Sequence, residues 1–92
     1  MITAIVFVSA DVARIPEVAE EIAALDGVSE VYSVTGQIDL IALIRVSEHE
    51  QVAAVVADRL NKVDGVRSTE THIAFRTHSR HDLEAAFSLG LD

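Results

Sequence analysis

The chain contains an internal repeat, and this repeat constrains the fold more than any other feature. When the sequence is shifted by 38 positions, many residues of the first half fall on identical residues of the second. The identical pairs include Ala4 with Ala42, Val8 with Val46, Val18 with Val56, and Asp26-Gly27-Val28 with Asp64-Gly65-Val66. Two copies are too few for a solenoid, which needs at least about three units. The repeat therefore predicts one pseudo-symmetric domain.

Each copy of the repeat has the pattern of a strand, a helix and a second strand. Apolar residues recur at helical spacing in residues 15–25 and 52–63, and Asp-Gly-Val follows each segment. Ser47-Glu48-His49-Glu50 predicts a capping box, in which Ser and Glu satisfy free amides at the start of the second helix. Runs rich in β-branched residues predict strands at about residues 2–8, 28–35, 40–46 and 67–76.

The resulting order, βαββαβ, predicts the fold. Right-handed crossovers that place both helices on one face give a four-stranded antiparallel sheet. We therefore expect an α+β, ferredoxin-like domain over residues 1–77. Residues 78–92 are predicted to be a short C-terminal helical extension of the same domain, with Ser79 and Asp82 as its capping signal.

The predicted strands are apolar on both faces. In the first strand Val6 and Val8 point to one side, while Ile5 and Phe7 point to the other. Because the helices cover only one side, the second side must also be covered. The chain's own C-terminal segment is one candidate. We favour a two-fold dimer that packs sheet against sheet, as in dimeric α/β-barrel proteins, because an isologous pairing is the commonest way to bury such a face.

Charge and composition exclude several classes of protein. The 15 acidic and 7 basic residues give a formal net charge of −8, so we expect no direct binding to a phosphate backbone. The chain has no cysteine, which excludes disulfides and thiolate metal sites. The apolar residues 1–10 lack a basic start, and Asp11 ends them too soon for a membrane span. We therefore expect a cytoplasmic protein without a membrane partner.

Motifs for catalysis and metal binding are weak. The sequence has no phosphate loop, dinucleotide fingerprint or His-Glu-x-x-His motif. His78 and His81, next to Asp82, have a spacing that would suit a metal, but we favour capping and surface roles for them. His72 lies in a predicted strand, where a histidine is more often a polar neighbour than a general base. We therefore predict no enzyme activity, no metal and no cofactor.

The segment between the second and third strands is the best candidate for a binding site. Gly36 lets the backbone approach a ligand closely, and N–H groups beside it, such as that of Gln37, could hold a carboxylate. Asp39 could accept hydrogen bonds from a ligand ammonium group. An amino acid needs both contacts, but a hairpin turn in which Asp39 satisfies loop amides explains the same residues equally well. Thr69 and Thr71 share one face of the last strand and could add hydroxyls, although strand packing explains them better.

The strand order, the Asp-Gly-Val after each helix and the segment Val34-Thr35-Gly36-Gln37-Ile38-Asp39-Leu40 together resemble the ligand-binding domain of the Lrp/AsnC regulators, often called the RAM domain. The resemblance covers roughly residues 2–76. It implies sensing of a small-molecule effector, an amino acid, by a homodimer that assembles into a higher oligomer. It also implies that Gly36, Gln37 and Asp39, together with Thr69 and Thr71, bind the effector.

The sequence departs from this family in two ways. Ile38 stands where the family often has an aromatic residue before the Asp, which affects the side-chain preference of the site. We also expect no N-terminal helix-turn-helix of the kind the family has, because residues 2–8 are already predicted to form the first strand. We therefore expect a sensor module that modulates transcription or metabolism through partners, among them full-length Lrp/AsnC-type regulators.

Three other interpretations stay open. A small dimeric α/β-barrel enzyme, similar to cofactor-free monooxygenases or YciI-like proteins, would need polar groups between sheet and helices, for which His72, Tyr32 and Arg76 are the candidates. A pure assembly module would form the oligomer with an empty site. An amino-acid-binding domain of the ACT type would share the strand order but pair edge to edge.

Overall fold

The computed structural model describes residues 1–80, and its elements follow the predicted order. The strands are β1 (Ile2–Ala10), β2 (Val28–Ser33), β3 (Leu40–Val46) and β4 (Val66–Ala74), and the helices are α1 (Ile15–Ala23) and α2 (His49–Asp58). One-turn 3-10 segments precede α1 at Val12–Arg14 and follow α2 at Leu60–Lys62. The strands form one antiparallel sheet in the order β2-β3-β1-β4. The ferredoxin-like α+β prediction is confirmed.

The core lies between the two helices and one face of the sheet. Alternate residues of β1 and β3 are buried there, and they pack against Val18 and Ile22 of α1 and Val55 of α2. No polar or charged residue of the described chain is buried in this layer or elsewhere. Burying an aliphatic side chain of this size contributes about 1.5–3 kcal/mol. The dry layer therefore fixes the positions of β1 and β3, from which the site is built.

The second helix begins one residue later than the predicted capping box. Its N-cap is Glu48, and the partner is Gln51 rather than Glu50. The Gln51 Oε1 atom accepts hydrogen bonds from the Ser47 and Glu48 amides, both at 2.9 Å. An amide side chain can close a capping box as well as a carboxylate can. The prediction was therefore wrong about the residues of the cap but right about its place in the chain.

The ends of the helices also differ in detail from the prediction. Helix α2 ends at Asp58, and Leu60, which is fully buried, belongs to the 3-10 segment that follows. The apolar pattern predicted its burial but not the change of helix type. The predicted C-terminal helical extension begins at residue 78, and its residues 81–92, which include Asp82 of the capping signal, lie outside the described residues. None of the helices within residues 1–80 is long and apolar enough to cross a membrane.

The face of the sheet away from the helices, which we call the open face, is apolar near its centre. It carries Ile5 and Phe7 of β1 beside Ile41 and Leu43 of β3. These four side chains are half-buried in the single chain, whereas their neighbours on the helix-facing side are fully buried. The sequence pattern of two apolar faces is thus present in the structure, with one face still accessible to a partner.

Candidate functional site

The loop between β2 and β3 is held at both of its ends. At its base, the Val34 amide donates to the Asp39 carbonyl oxygen at 3.1 Å, and the Asp39 amide donates to the Val8 carbonyl oxygen at 3.0 Å. Gly36 lies at the exposed tip with φ of +115°, a conformation that residues with a Cβ rarely adopt. The loop is therefore a defined turn attached to the end of β1.

The Asp39 side chain continues the hydrogen bonding of the sheet beyond the last strand pair. Pairing of β1 with β3 ends at Val8 and Leu40, and the pairing of β1 with β4 shifts between Ser9 and Ala10. Just beyond this point the Asp39 Oδ2 atom accepts a hydrogen bond of 2.8 Å from the Ala10 amide. This matches the hairpin interpretation of Asp39. A contact between Asp39 and a ligand ammonium group stays a prediction.

Three successive amides in this loop are available to a ligand. Within residues 1–80, the N–H groups of Thr35, Gly36 and Gln37 donate no hydrogen bond to protein. Consecutive free amides at a turn form a concave site that attracts anions. The loop therefore has backbone donors that its own turn leaves unused.

A cleft of about 680 Å³ lies beside the loop on the open face. The loop contributes Gln37 and Ile38, and strands β1 and β4 contribute Phe7, Ser9, Ser68, Thr69 and Glu70. The register explains this combination, because Phe7 lies opposite Glu70 and Ser9 lies opposite Ser68. The volume is within the range of about 300–1,000 Å³ that small-molecule sites occupy.

The two predicted threonines lie on the other side of β4. Thr69 is paired with Val8 and Thr71 with Val6, and both valines are fully buried on the helix-facing side. The Thr69 hydroxyl donates a 2.7 Å hydrogen bond to Asn61 Oδ1, so in this structure it serves the packing of β4. Thr69 still borders the cleft, whereas Thr71 does not line it. Their contact with a ligand stays a prediction.

Sequence reasoning missed the residues that alternate with these threonines. Ser68 and Glu70 face the cleft, and the Glu70 Oε2 atom lies 2.7 Å from the His72 Nε2 atom. The His72 ring packs against Phe7, with ring centroids 5.1 Å apart. The available signal was the period of two along an antiparallel strand beside β1. It could have placed Ser68, Glu70 and His72 on the same face as Phe7.

The structure also locates two of the three residues that the enzyme interpretation would need. His72 lies opposite Ile5, and Tyr32 lies opposite Ile41, so both belong to the open face and not to a pocket between sheet and helices. The Tyr32 hydroxyl is bonded to the Glu30 carboxylate, and this hydrogen bond, with desolvation and the Glu30 charge, raises the pKa of Tyr32, while Arg45 acts in the opposite direction. Among the described residues, no three His, Cys, Asp or Glu side chains come together as a metal site.

Comparison with known proteins identifies relatives of this cleft-bearing domain. A regulator of Pyrococcus horikoshii, the uncharacterized HTH-type transcriptional regulator PH1916, is 43% identical over 61 residues, which are 66% of this chain and 41% of that protein. The chain thus spans about two fifths of the length of this curated relative. The crystal structure of TTHA0845 from Thermus thermophilus superposes with a TM-score of 0.82 at 44% identity and covers 87% of this chain and 100% of that one.

A third match concerns a ligand complex. The structure of the transcriptional regulator NMB0573 of Neisseria meningitidis in complex with L-Met has a TM-score of 0.74 at 19% identity, and the match covers 86% of this chain and 54% of that one. At this identity the likeness shows the fold. The model of the Lrp/AsnC ligand binding domain matches residues 3–83, nearly the whole chain. The chain belongs to the Lrp/AsnC ligand-binding domain family.

Proposed function

We propose that this chain is an oligomerising regulatory module that binds an amino-acid effector in the cleft beside the β2–β3 loop. One observation carries the proposal: the loop is fixed to the end of β1 by Asp39, yet its amides at Thr35, Gly36 and Gln37 donate no hydrogen bond within residues 1–80, and Gln37 lines the cleft. A preorganised loop of this kind binds an anion with little entropic cost, because its backbone is already ordered.

The ligand class is supported by the chemistry of the loop and by a relative. An α-carboxylate suits the free amides, and Asp39 can offer its second carboxylate oxygen, Oδ1, to the α-ammonium group. Within residues 1–80 this oxygen has no hydrogen-bond partner. The Neisseria regulator with the same fold was solved with L-Met, which is an amino acid. These points favour an amino acid over a phosphate or a nucleotide.

The open face supports oligomerisation. Ile5, Phe7, Ile41 and Leu43 present a continuous apolar surface that a second copy would cover, sheet against sheet. In that dimer the partner sheet would also close one side of the cleft, so effector binding and assembly would influence each other. Full-length regulators with the same domain could enter such assemblies. Through these mixed assemblies, an acidic chain could influence transcription without binding DNA itself.

The proposal is tested by calorimetric titration of the folded chain with each of the twenty amino acids. We expect saturable binding of at least one of them, and we expect Gln37→Ala to weaken it because that residue lines the cleft. The matched control is Glu20→Ala, an exposed position on α1 that does not line the cleft. Absence of heat for all twenty, with the fold confirmed by circular dichroism, would contradict effector binding.

A further inference from the structure

We propose that Glu70 makes the cleft selective for basic amino acids, those whose side chain carries a positive charge. This inference rests on the proposed function, because it names the class of effector for the same cleft. Among residues 1–80, Glu70 is the one charged residue that lines the cleft, and no lysine, arginine or histidine of this part of the chain lines it. A ligand with net positive charge would neutralise this carboxylate, whereas an acidic amino acid would be repelled by it.

The walls of the cleft fit the two parts of a basic side chain. Phe7 and Ile38 offer apolar surface to a methylene stem, and Glu70, opposite Phe7 in the register, offers a carboxylate to its charged end. The Ser9 and Ser68 hydroxyls, opposite each other at the neighbouring pair, can accept further hydrogen bonds from that end. If the loop amides hold the α-carboxylate, Glu70 remains as the partner for a second cation.

His72 positions the Glu70 carboxylate. Its Nε2 atom lies 2.7 Å from Glu70 Oε2, and its ring is packed against Phe7, which limits the rotamers of the pair. Glu70 is the titratable group that faces His72 along β4, and the neighbouring strand β1 presents only Thr3, Ile5, Phe7 and Ser9 on this face. Farther across the sheet, Arg45 lies on β3, and Glu30 and Tyr32 lie on β2.

The test compares two ligands with the same four-carbon side-chain stem, lysine and norleucine, by calorimetric titration of the intact chain. We expect lysine to bind about tenfold more tightly than norleucine, as one charge-assisted hydrogen bond provides, and glutamate to bind more weakly than either. Glu70→Gln should reduce the preference for lysine to within about twofold. The charge-matched control, Glu20→Gln on α1, should leave it unchanged. His72→Gln should reduce the preference for lysine less than Glu70→Gln does, because it removes the positioning contact but keeps the carboxylate.

The outcomes separate this inference from the function on which it rests. If norleucine binds as tightly as lysine, or if Glu70→Gln keeps the full preference, the selectivity is overturned while effector binding stands. If no amino acid binds to the folded wild-type chain, the proposed function fails, and the selectivity fails with it. Circular dichroism of Glu70→Gln serves as the check on folding, which should be unaffected because the side chain of Glu70 is 69% exposed.

Discussion

Three glycine turns in this molecule have a similar backbone conformation, but two of them are tightly packed and the third is exposed. Gly27 and Gly65, in the two Asp-Gly-Val turns of the repeat, have φ of +93° and +101°, and Gly36, in the β2–β3 loop, has φ of +115°. A Cβ added to Gly27 would lie 2.8 Å from Val55 Cγ2, and one added to Gly65 would lie 2.7 Å from Val18 Cγ2. At Gly36 an added Cβ would meet no atom of the described chain within 4 Å, apart from its neighbours in sequence.

The difference separates the two turns that build the fold from the loop at which we propose that the effector binds. Each Asp-Gly-Val turn packs on the helix of the other copy, since Gly27 contacts α2 and Gly65 contacts α1. Their carbonyl oxygens also accept hydrogen bonds across the copies, from the Arg45 amide at 2.9 Å and from the Asp11 amide at 2.7 Å. The Gly36 turn has no such packing. Its conformation is needed only to shape the loop that borders the cleft.

The largest effect is expected from alanine in the packed turns. Gly65→Ala and Gly27→Ala combine the cost of a positive φ with an overlap against a buried valine, and each should lower the free energy of unfolding by about 3 kcal/mol. Urea denaturation measures it. In the Gly27→Ala background, Val55→Ala should cost less than it does alone, because it makes room for the new methyl group. Losses below about 1 kcal/mol for both glycines would contradict this packing.

The next largest effect is expected at Asp39, which anchors the loop. Asp39→Ala leaves the Ala10 amide, on a residue that is 4% exposed, without its acceptor and should lower the free energy of unfolding by about 1–3 kcal/mol. Asp39→Asn keeps an acceptor oxygen at the same place and should cost less than half as much. Equal losses in the two variants would show that the charge of Asp39, and not this hydrogen bond, supports the loop.

A smaller effect on stability is expected at Gly36. Because an alanine there meets no atom of the described chain, Gly36→Ala should cost only the backbone strain, about 1–2 kcal/mol, which is less than at Gly65. Its effect on effector affinity should be the larger consequence, because it moves the free amides. Thermal unfolding and calorimetric titration of the same preparation separate the two. A stability loss as large as that of Gly65→Ala would remove the distinction between the turns.

The smallest effect concerns Tyr32, on the strand that precedes the loop. The Glu30 hydrogen bond raises the pKa of Tyr32, so the neutral phenol is favoured in the folded chain. The resulting stabilisation is present below the pKa of an unfolded tyrosine and is lost as the pH rises through the higher folded pKa. Tyr32 is the single tyrosine, so its absorbance reports the titration directly. Glu30→Gln should lower the midpoint, and an unchanged midpoint would argue against the hydrogen bond.

The fold could be predicted from the sequence because the repeat carries redundant signals. The Asp-Gly-Val turns and the helical spacing of residues such as Val18 and Val56 agree with one another, so the order of the elements follows from either copy. The capping box was misplaced by one residue because Gln51 and Glu50 are both able to close it. Local chemistry alone does not distinguish such neighbours.

The cleft was only half predictable. The loop residues Gly36, Gln37 and Asp39 stand together in the sequence, and their types suggest a turn that binds. The other wall comes from β4, whose residues are mainly polar on both faces, so its pattern does not reveal which side is buried. Their hydroxyls and the family resemblance pointed to Thr69 and Thr71, whereas the register with β1 brings Ser68 and Glu70 to the cleft beside Thr69. That register depends on which residues of β1 and β4 pair across the sheet, and the local sequence of β4 does not reveal it.

Effector binding at the β2–β3 loop is tested most directly by two-dimensional amide NMR of the chain with and without the amino acid that binds in calorimetry. Binding at the β2–β3 loop predicts that the amide signals of Gly36 and Gln37 shift in proportion to saturation, while those of Gly27 and Gly65 stay in place. A saturating amino acid that leaves the Gly36 and Gln37 signals unmoved would contradict the assignment of this cleft as the effector site.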